Sequence, residues 1–589
     1  MLNLITEHIN IWTAAQTQKN NGSRGRGKNS NGQSLYGIQK LRELILELAV
    51  RGKLVPQIPD DEPTSVLLDK ITKEKKRLIK KGKIKKQKPF PIISGDEKPF
   101  DLPQGWEWAW LGEIAQHNSG KTLDKGRNEG KSREYITTSN LYWGYFILDN
   151  LRKMPIKDSE LEKCTAKKND LLICEGGEAG RASVWEFEES ICLQNHIHRV
   201  RFFCKINPYY AYRFFEKLNY TGEINKYRKG VAISNMSGKT LSSIIIPLPP
   251  IAEQHRIVAK LDELMVLCDQ LEQHQTDSSD THLVLVETLL ATLTNAADQR
   301  ELAEAWQRIA NHFDTLFTTE QSIDQFKQTI LQLAVMGKLV LQDPQDEPAS
   351  VLLKKIAKEK ARLIKEGKIK KIKTLPEIKK NGETFKLPEG WMWSRLIDVC
   401  SLVTQGPNPK YYNKTNPKYG VLKTKDFYDD IIHYDKITPI SYDTFKEFKR
   451  YKLLNNDIIF GLVGKGSTAK CNIFMEQRNV EHIFTRATGL IRLLNPTLIL
   501  PVIIKQYFTS LLGKNTSDSI TDGSTGQLVI KTSELKNVVI PVPPLKEQHR
   551  IVAKVNELIT LCDNLKARLN DVQTTQAQLA DALVEQAVA

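Results

Sequence analysis

The sequence predicts an α+β protein in which two globular, mixed α/β segments are joined by long antiparallel helices forming a coiled-coil-like spacer, pseudo-two-fold, with repeats in circular order. Three observations lead there. A proline-led, helix-like cassette occurs twice, as "IPLPPIAEQHRIVAKLDELMVLCDQLE" from Ile246 and "IPVPPLKEQHRIVAKVNELITLCDNLK" from Ile540. A longer block, "LRELILELAVRGKLVPQIPDDEPTSVLL" from Leu41, returns from Phe326 as "FKQTILQLAVMGKLVLQDPQDEPASVLL". The stretches between these blocks are unlike each other, and 589 residues exceed what one hydrophobic core organises.

Taken in chain order, the N-terminal "ITEHINIW" from Ile5 matches "IANHFDTL" from Ile309, keeping His8 and His312 in step. The "QKNNGSRGRGKNSNGQS" stretch that follows is too polar to bury a core and reads as a flexible basic tether near 17–34. The cassette at the C-terminus then finds its continuation at the N-terminus, whereas the central copy is uninterrupted. Each of the next helices should end at a glycine able to turn left-handed, Gly52 and Gly337. Pro63 and Pro348 should open a second helix that puts Val66, Leu67, Ile71, Leu78 and Ile79 inward and Lys70, Lys73, Lys76, Arg77, Lys80 and Lys81 outward. Such a basic face is usually just solvated. Its recurrence beside each variable segment points instead to phosphate contact, with Lys76, Arg77, Lys80 and Lys81 as candidates.

The "LPQGWEW" motif at Leu102, repeated as "LPEGWMW" at Leu387, opens the variable segments. Short apolar runs ("DLLICE", "DIIFGLV") beside glycine-rich loops ("EGGEAGRA", "GKGSTAK") predict strands and turns. Basic and aromatic residues that suit phosphate contact, stacking and base-edge readout cluster there: Lys121, Arg127, Lys131, Arg133, Tyr142 and Trp143 in the first, Lys410, Tyr411, Tyr412, Lys414, Lys423 and Lys425 in the second. Beyond Pro250, the stripe Ile257, Val258, Leu261, Leu264, Met265, Cys268, Leu271 has helical spacing, as does Ile551, Val552, Val555, Leu558, Ile559, Cys562, Leu565. Leu283, Val286, Leu289, Leu290 and Leu293 extend the first stripe; Leu579, Leu583 and Val584 extend the second. The domain reading is 1–104 helical, 105–247 first segment, 248–389 helical spacer, 390–541 second segment and 542–589 terminal helix.

Composition narrows the function. A formal charge of +16 fits a polyanionic partner, since lysine and arginine gain free energy by displacing condensed counterions. No apolar run approaches the roughly 20 residues a membrane span needs, and the N-terminus does not read as a signal peptide, so a cytoplasmic protein is expected. The eight cysteines include no C-x-x-C pair, against a zinc ribbon or a disulfide framework. "GLVGKGST" places a glycine where a phosphate-binding loop needs serine or threonine. The [N/D]-P-P-[Y/F] signature of an amino-methyltransferase is missing. His196 and His198 of "HIH" should share a strand face, yet two ligands without a third indicate packing, not metal. The reading is of a binding protein, not a catalyst.

The duplicated P-P-x-x-E-Q cassettes, the "LPxGWxW" motifs and two unlike segments between like ones resemble the specificity subunit of type I restriction-modification systems. The "LAVxGKLV" blocks and the "ITEHINIWTAAQ" start resemble its type IB branch. The resemblance implies a non-catalytic DNA-recognition subunit whose segments are target recognition domains, each reading one half of a bipartite, asymmetric double-stranded DNA target. It implies helices that space the halves and dock two methyltransferase subunits, with Glu253, Gln254, His255, Arg256, Glu547, Gln548, His549 and Arg550 as candidate docking and spacer residues. It also implies motor-endonuclease subunits in the full complex, no cofactor in this chain, and S-adenosylmethionine brought by the methyltransferase. Two other readings remain open on residues alone: a self-contained DNA methyltransferase or nuclease with a fused recognition module, and a helical scaffold without specific DNA binding.

Overall fold

The computed structural model describes residues 7–588 except 16, 19–32, 87, 123, 125–127, 231–233, 371–377, 379–384, 410–415, 429–430, 465, 477 and 524–527. The basic tether lies almost wholly outside them. The fold is α+β, and the chain divides into two compact units: Met1–Ser278 with Asp571–Ala589, and Ser279–Asn570. Neither boundary follows the sequence blocks. Both fall inside long helices, Ile251–Asn295 and Leu545–Val588, because each helix buries one part of its apolar stripe in one core and another part in the other.

In the first unit the helix Tyr36–Val50 is buried along most of its length, its second half from Leu44 onward entirely so. Going up this helix, Tyr36 bonds Asp581 (2.7 Å) and Lys53, just past its end, bonds the Val588 carbonyl (3.1 Å). On another side Arg42 pairs with Asp269 and Glu272 (2.6 and 2.7 Å), and Gln57, further on, reaches Glu253 (3.3 Å). Numbers rise on the C-terminal helix and fall on the central one, so the two run antiparallel here. Their shared core holds Leu264 and Cys268 with Ala580 and Val584. The chain's last turns therefore complete the unit that its first residues begin, the circular closure expected from the repeats.

The second unit repeats this with no chain break. Along helix Glu320–Val335, Lys327 pairs with Asp563 and Asp324 with Lys566 (2.6 Å), and Gln342, beyond its end, bonds Glu547 (3.1 Å). Lys338 donates to the carbonyls of Thr294 and Ala296 (2.6 and 2.9 Å), as Lys53 does to Val588. Trp12 and Leu316, matched by the "ITEHINIW" and "IANHFDTL" alignment, are both buried.

The expected helix ends are observed. Gly52 and Gly337 sit at φ 68° and 69°, a left-handed conformation that a Cβ resists, and Gly82 and Gly367 close the basic helices Thr64–Lys80 and Ala349–Lys365 at 67° and 69°. Two apolar expectations are corrected. Val66 is exposed, because Thr64, Leu67 and Ile71 already fill the inward positions, and Leu579 is exposed while Ala580 takes the inward place. The long helices run 45 and 44 residues, near 67 Å at about 1.5 Å per residue, because nothing in "QHQTDSSD" breaks a helix. Thr276 there returns its hydroxyl to the Glu272 carbonyl (2.8 Å).

The variable segments share one plan despite their sequences. In the first, strands Ala182–Val184, Leu171–Cys174, Ile197–Phe202 and Ala115–Ser119 lie side by side in that order; in the second, Cys471–Ile473, Ile458–Gly461, Thr488–Leu493 and Cys400–Gln405 do the same. Each segment also has a second sheet with a parallel pair, Leu193 on Ile136 and Phe484 on Leu422.

Ending the chain at Asn570 removes Val584 and its neighbours from the first core, where burying one such side chain is worth about 1.5–3 kcal/mol. The expected result by hydrogen exchange is at least tenfold faster opening of Tyr36–Val50, with Glu320–Val335 unchanged.

Candidate nucleic-acid interface

Where each variable segment joins its long helix, the two sequence motifs turn out to be one structure. The proline pair ends a strand, Ile245–Leu248 or Val539–Val542, and the helix begins directly after it. Glu253, in the first helical turn, accepts from the Trp106 indole N–H (2.9 Å) and from Gln57 (3.3 Å). Glu547 accepts from Trp391 (2.9 Å) and Gln342 (3.1 Å). Gln254 accepts from the Asn207 amide (2.9 Å) and Gln548 from the Leu500 amide (2.9 Å). The same strands pair with the tryptophan strands, Ile246 on Ala109 and Ile540 on Ser394. A negative side chain at a helix N-terminus meets the positive end of the backbone dipole.

Glu253, Gln254, Glu547 and Gln548 are each at most 1 % exposed. Their expected place on a docking surface is therefore corrected: their oxygens are consumed inside the fold, and burial pushes both glutamate pKa values up despite the donors. Arg256 and Arg550 are held by Asp61 (2.5 Å) and Asp346 (2.7 Å). His255 and His549 are exposed.

The basic helices divide likewise. Lys75 and Lys360 point inward, donating to the carbonyls of Glu113 (3.1 Å) and Ile397, and so tie helix to segment. Lys70, Lys73, Lys76, Arg77, Lys80 and Lys81 are exposed as expected. Arg77 is taken by Glu74 (2.6 Å), which Lys81 also neighbours through space, while Lys76 and Lys80 form no ion pair among the described residues.

The first segment's candidates fall into two groups. Lys131 and Arg133 share Asp158 (3.5 and 2.6 Å) and Lys121 pairs with Glu160, so three of the expected phosphate ligands already have counter-charges. Arg127 lies outside the described residues. Tyr142 and Trp143 form the other group, in which Tyr142 stacks on Tyr145 (5.1 Å, 10°) under the Arg181 guanidinium (4.9 Å). Trp143 donates to Glu178 (3.1 Å) and Arg228 to the Ala179 carbonyl (2.7 Å). The "EGGEAGRA" loop is pinned there by pairing of Gly177 with Ser234. Stacked rings beside a guanidinium can hold a base or a phosphate–sugar edge. Tyr145, Arg181 and Arg228 were missed; the arginine four residues past "EGG" was the available signal.

In the second segment Lys410, Tyr411, Tyr412 and Lys414 lie outside the described residues. Lys425 is exposed, but Lys423 donates to Thr438 (2.9 Å), a structural bond in place of the expected contact role. The glycine loop corresponds to that of the first segment, with Gly464 donating to the Leu528 carbonyl (3.1 Å). Nearby residues overlooked in the sequence are Tyr428 and His433, stacked at 3.8 Å, with Lys436 over the Tyr428 ring (5.1 Å).

Beneath each loop lies a matched anchor. Asp170 and Asp457 each accept the amide at position i − 3 (2.7 Å), after an asparagine at φ 69° or 74°, and each is gripped by both arms of an arginine, Arg201 or Arg492 (2.6–2.7 Å). The sign of it in the sequence is "NDLL" and "NDII". His198 is packed as expected, donating to the Met236 carbonyl (2.7 Å) and accepting from His117 (2.8 Å); burial holds His117 down at about 4. His196, however, precedes the strand and is exposed, so the two imidazoles do not share a strand face. Among the described residues no group of three His, Cys, Asp or Glu could hold a metal, and no helix is long and apolar enough to cross a membrane.

The family model described as the type I restriction modification DNA specificity domain matches residues 103–278 and 388–574, over half the chain. The chain is 39% identical over 603 aligned residues, 99% of each chain, to the type I restriction enzyme EcoAI specificity subunit of Escherichia coli. It is 38% identical over 611 residues, again 99% of each, to the EcoEI specificity subunit of the same organism. A crystal structure of an HsdS subunit from Thermoanaerobacter tengcongensis aligns at 16% identity and TM-score 0.39, covering 83% of this chain and 98% of that one.

Replacing Trp106 with Phe leaves Glu253 short of its indole donor at a buried site, which costs about 1–3 kcal/mol. In a protein this large the melting transition of the first unit should fall by a few degrees. Trp391→Phe should do the same to the second, measured by calorimetry of the full chain.

Proposed function

The chain belongs to the type I restriction-modification DNA specificity family, and on that premise we propose that its two variable segments each read one half of a bipartite, asymmetric DNA target. The observation that carries this is one sheet plan, seated on one Trp–Glu joint, presenting two different loop surfaces. Tyr142, Tyr145, Trp143 and Arg181 serve the first half-site by stacking and base-edge contact; Tyr428, His433 and Lys436 serve the second. Lys76, Lys80 and Lys81 meet phosphates and contribute affinity without sequence preference.

The subunit acts without catalysis of its own, in the cytoplasm. The repeated frame docks two methyltransferase subunits, which bring S-adenosylmethionine, and motor-endonuclease subunits complete the restriction complex. The long helices set the gap between half-sites. A helix near 67 Å is about two turns of duplex at roughly 34 Å each.

The test is to exchange residues 106–246 for the corresponding segment of another family member and map methylated sites in cells that also supply the methyltransferase. One half-site should change while the other half-site and the gap persist. Change in both halves, or in neither, overturns the reading. Methyl transfer to DNA by the purified chain alone would show that it is an enzyme.

A further inference from the structure

Arg199 is buried to 1 % exposure on the strand Ile197–Phe202, yet no carboxylate holds it. Its guanidinium donates to the backbone carbonyls of Glu162 (2.7 Å) and Thr165 (2.8 Å), and to the Asn118 side-chain oxygen (2.6 Å) in the amide orientation that satisfies both groups. Asp170, the buried carboxylate on the neighbouring strand's lead-in, is occupied by both arms of Arg201. Asp170 and Glu162 act on it only through space, and a buried cation whose hydrogen bonds all go to neutral oxygens costs several kcal/mol.

The fold does not require that cost. With Arg201 and Arg492 as the matching point, the strand register carries Arg199 onto Leu490 and Asn118 onto Thr404 in the second segment, which forms the same sheet. The charge belongs to the first segment alone.

In front of it lies a cavity of about 570 Å³, between the chain that leaves the basic helix and the edge strand Ala115–Ser119. Asn118 and Glu162, whose oxygens hold Arg199, form part of its wall. Lys83, Lys85, Lys88 and Lys163 line it, all exposed and without an acidic partner among the described residues. Two carboxylates, Glu113 and Glu162, also line it, so the ammonium groups and the guanidinium behind the wall leave the cavity net positive. Four exposed ammonium groups in front of one buried, fixed cation suit a compact oxyanion.

We propose that this cavity binds a backbone phosphate of the duplex beside the first half-site, with Lys85, Lys88 and Lys163 as direct ligands and Arg199 as the fixed charge behind them. The assignment rests on the DNA-recognition reading above, and the fixed charge behind the site is the one that the second segment replaces with Leu490.

The decisive variant is the full chain with Lys85→Gln, Lys88→Gln and Lys163→Gln, surface changes that spare the core. Binding of a target duplex and a scrambled duplex is measured across a series of salt concentrations. Affinity should fall on both duplexes, and the slope of log K against log salt should become shallower by about 1 for each phosphate that the protein no longer neutralises. The preferred target sequence should stay the same. A second variant, Arg199→Leu with Asn118→Thr, copies the second segment and should weaken both duplexes about tenfold. Unchanged affinity and slope in the lysine variant overturn the proposal. So does stabilisation of the unaltered chain by inorganic phosphate with no effect of the lysine changes on DNA, which would mark a free-anion site. If the unaltered chain shows no sequence preference at all, the recognition reading fails instead, whatever the salt slopes do.

Discussion

A tryptophan indole donating to a buried glutamate in the first turn of a long helix is the constraint on which the rest depends. It occurs at Trp106–Glu253 and again at Trp391–Glu547, with the same bond length of 2.9 Å. Neither partner works alone: the carboxylate would be a buried charge short of a donor, and the indole N–H a buried donor without an acceptor. A glutamine from the preceding helical block supplies the second donor in each copy. Three stretches far apart in sequence therefore meet at one point, and the recognition segment is fixed in direction relative to its helix.

From that joint outward, variation is allowed only where it does not disturb the frame. The sheets of the two segments keep strand order, a parallel pair and the Asp–Arg anchor, while the loops above them carry stacked tyrosines and Arg181 in one case and a Tyr–His–Lys stack in the other. Loops on a rigid sheet can change side chains at little cost in stability, which is how one fold can read different sequences. The buried arginine of the first segment is an exception, a polar feature inside one sheet that its sister builds with leucine.

The frame was legible in the sequence because its signals are local. Gly52, Gly337 and Pro63 punctuate helices through backbone sterics alone, and the apolar stripe after Pro250 needs only helical spacing. The circular closure was legible because repeats can be compared without coordinates. What stayed hidden was long-range. Glu253 looked like an outward docking residue because nothing near it in sequence names Trp106, 147 residues away, as its partner. Leu579 looked inward because its register relative to Ala580 depends on the helices it packs among. The common plan of the variable segments escaped notice since strand pairing is set by partners distant in the chain, and its trace is two residues, Asn-Asp, before an apolar run. Lys121 and Arg133 looked like free cations until the turn carrying Asp158 and Glu160 was placed beside them.

The central claim is that one frame, used twice, presents two different readers. Long-read methylation mapping in cells carrying this chain with its methyltransferase tests it most directly. Two unlike short half-sites separated by a gap of constant length are expected. A single uninterrupted site, two identical half-sites, or a gap that varies from site to site would contradict it.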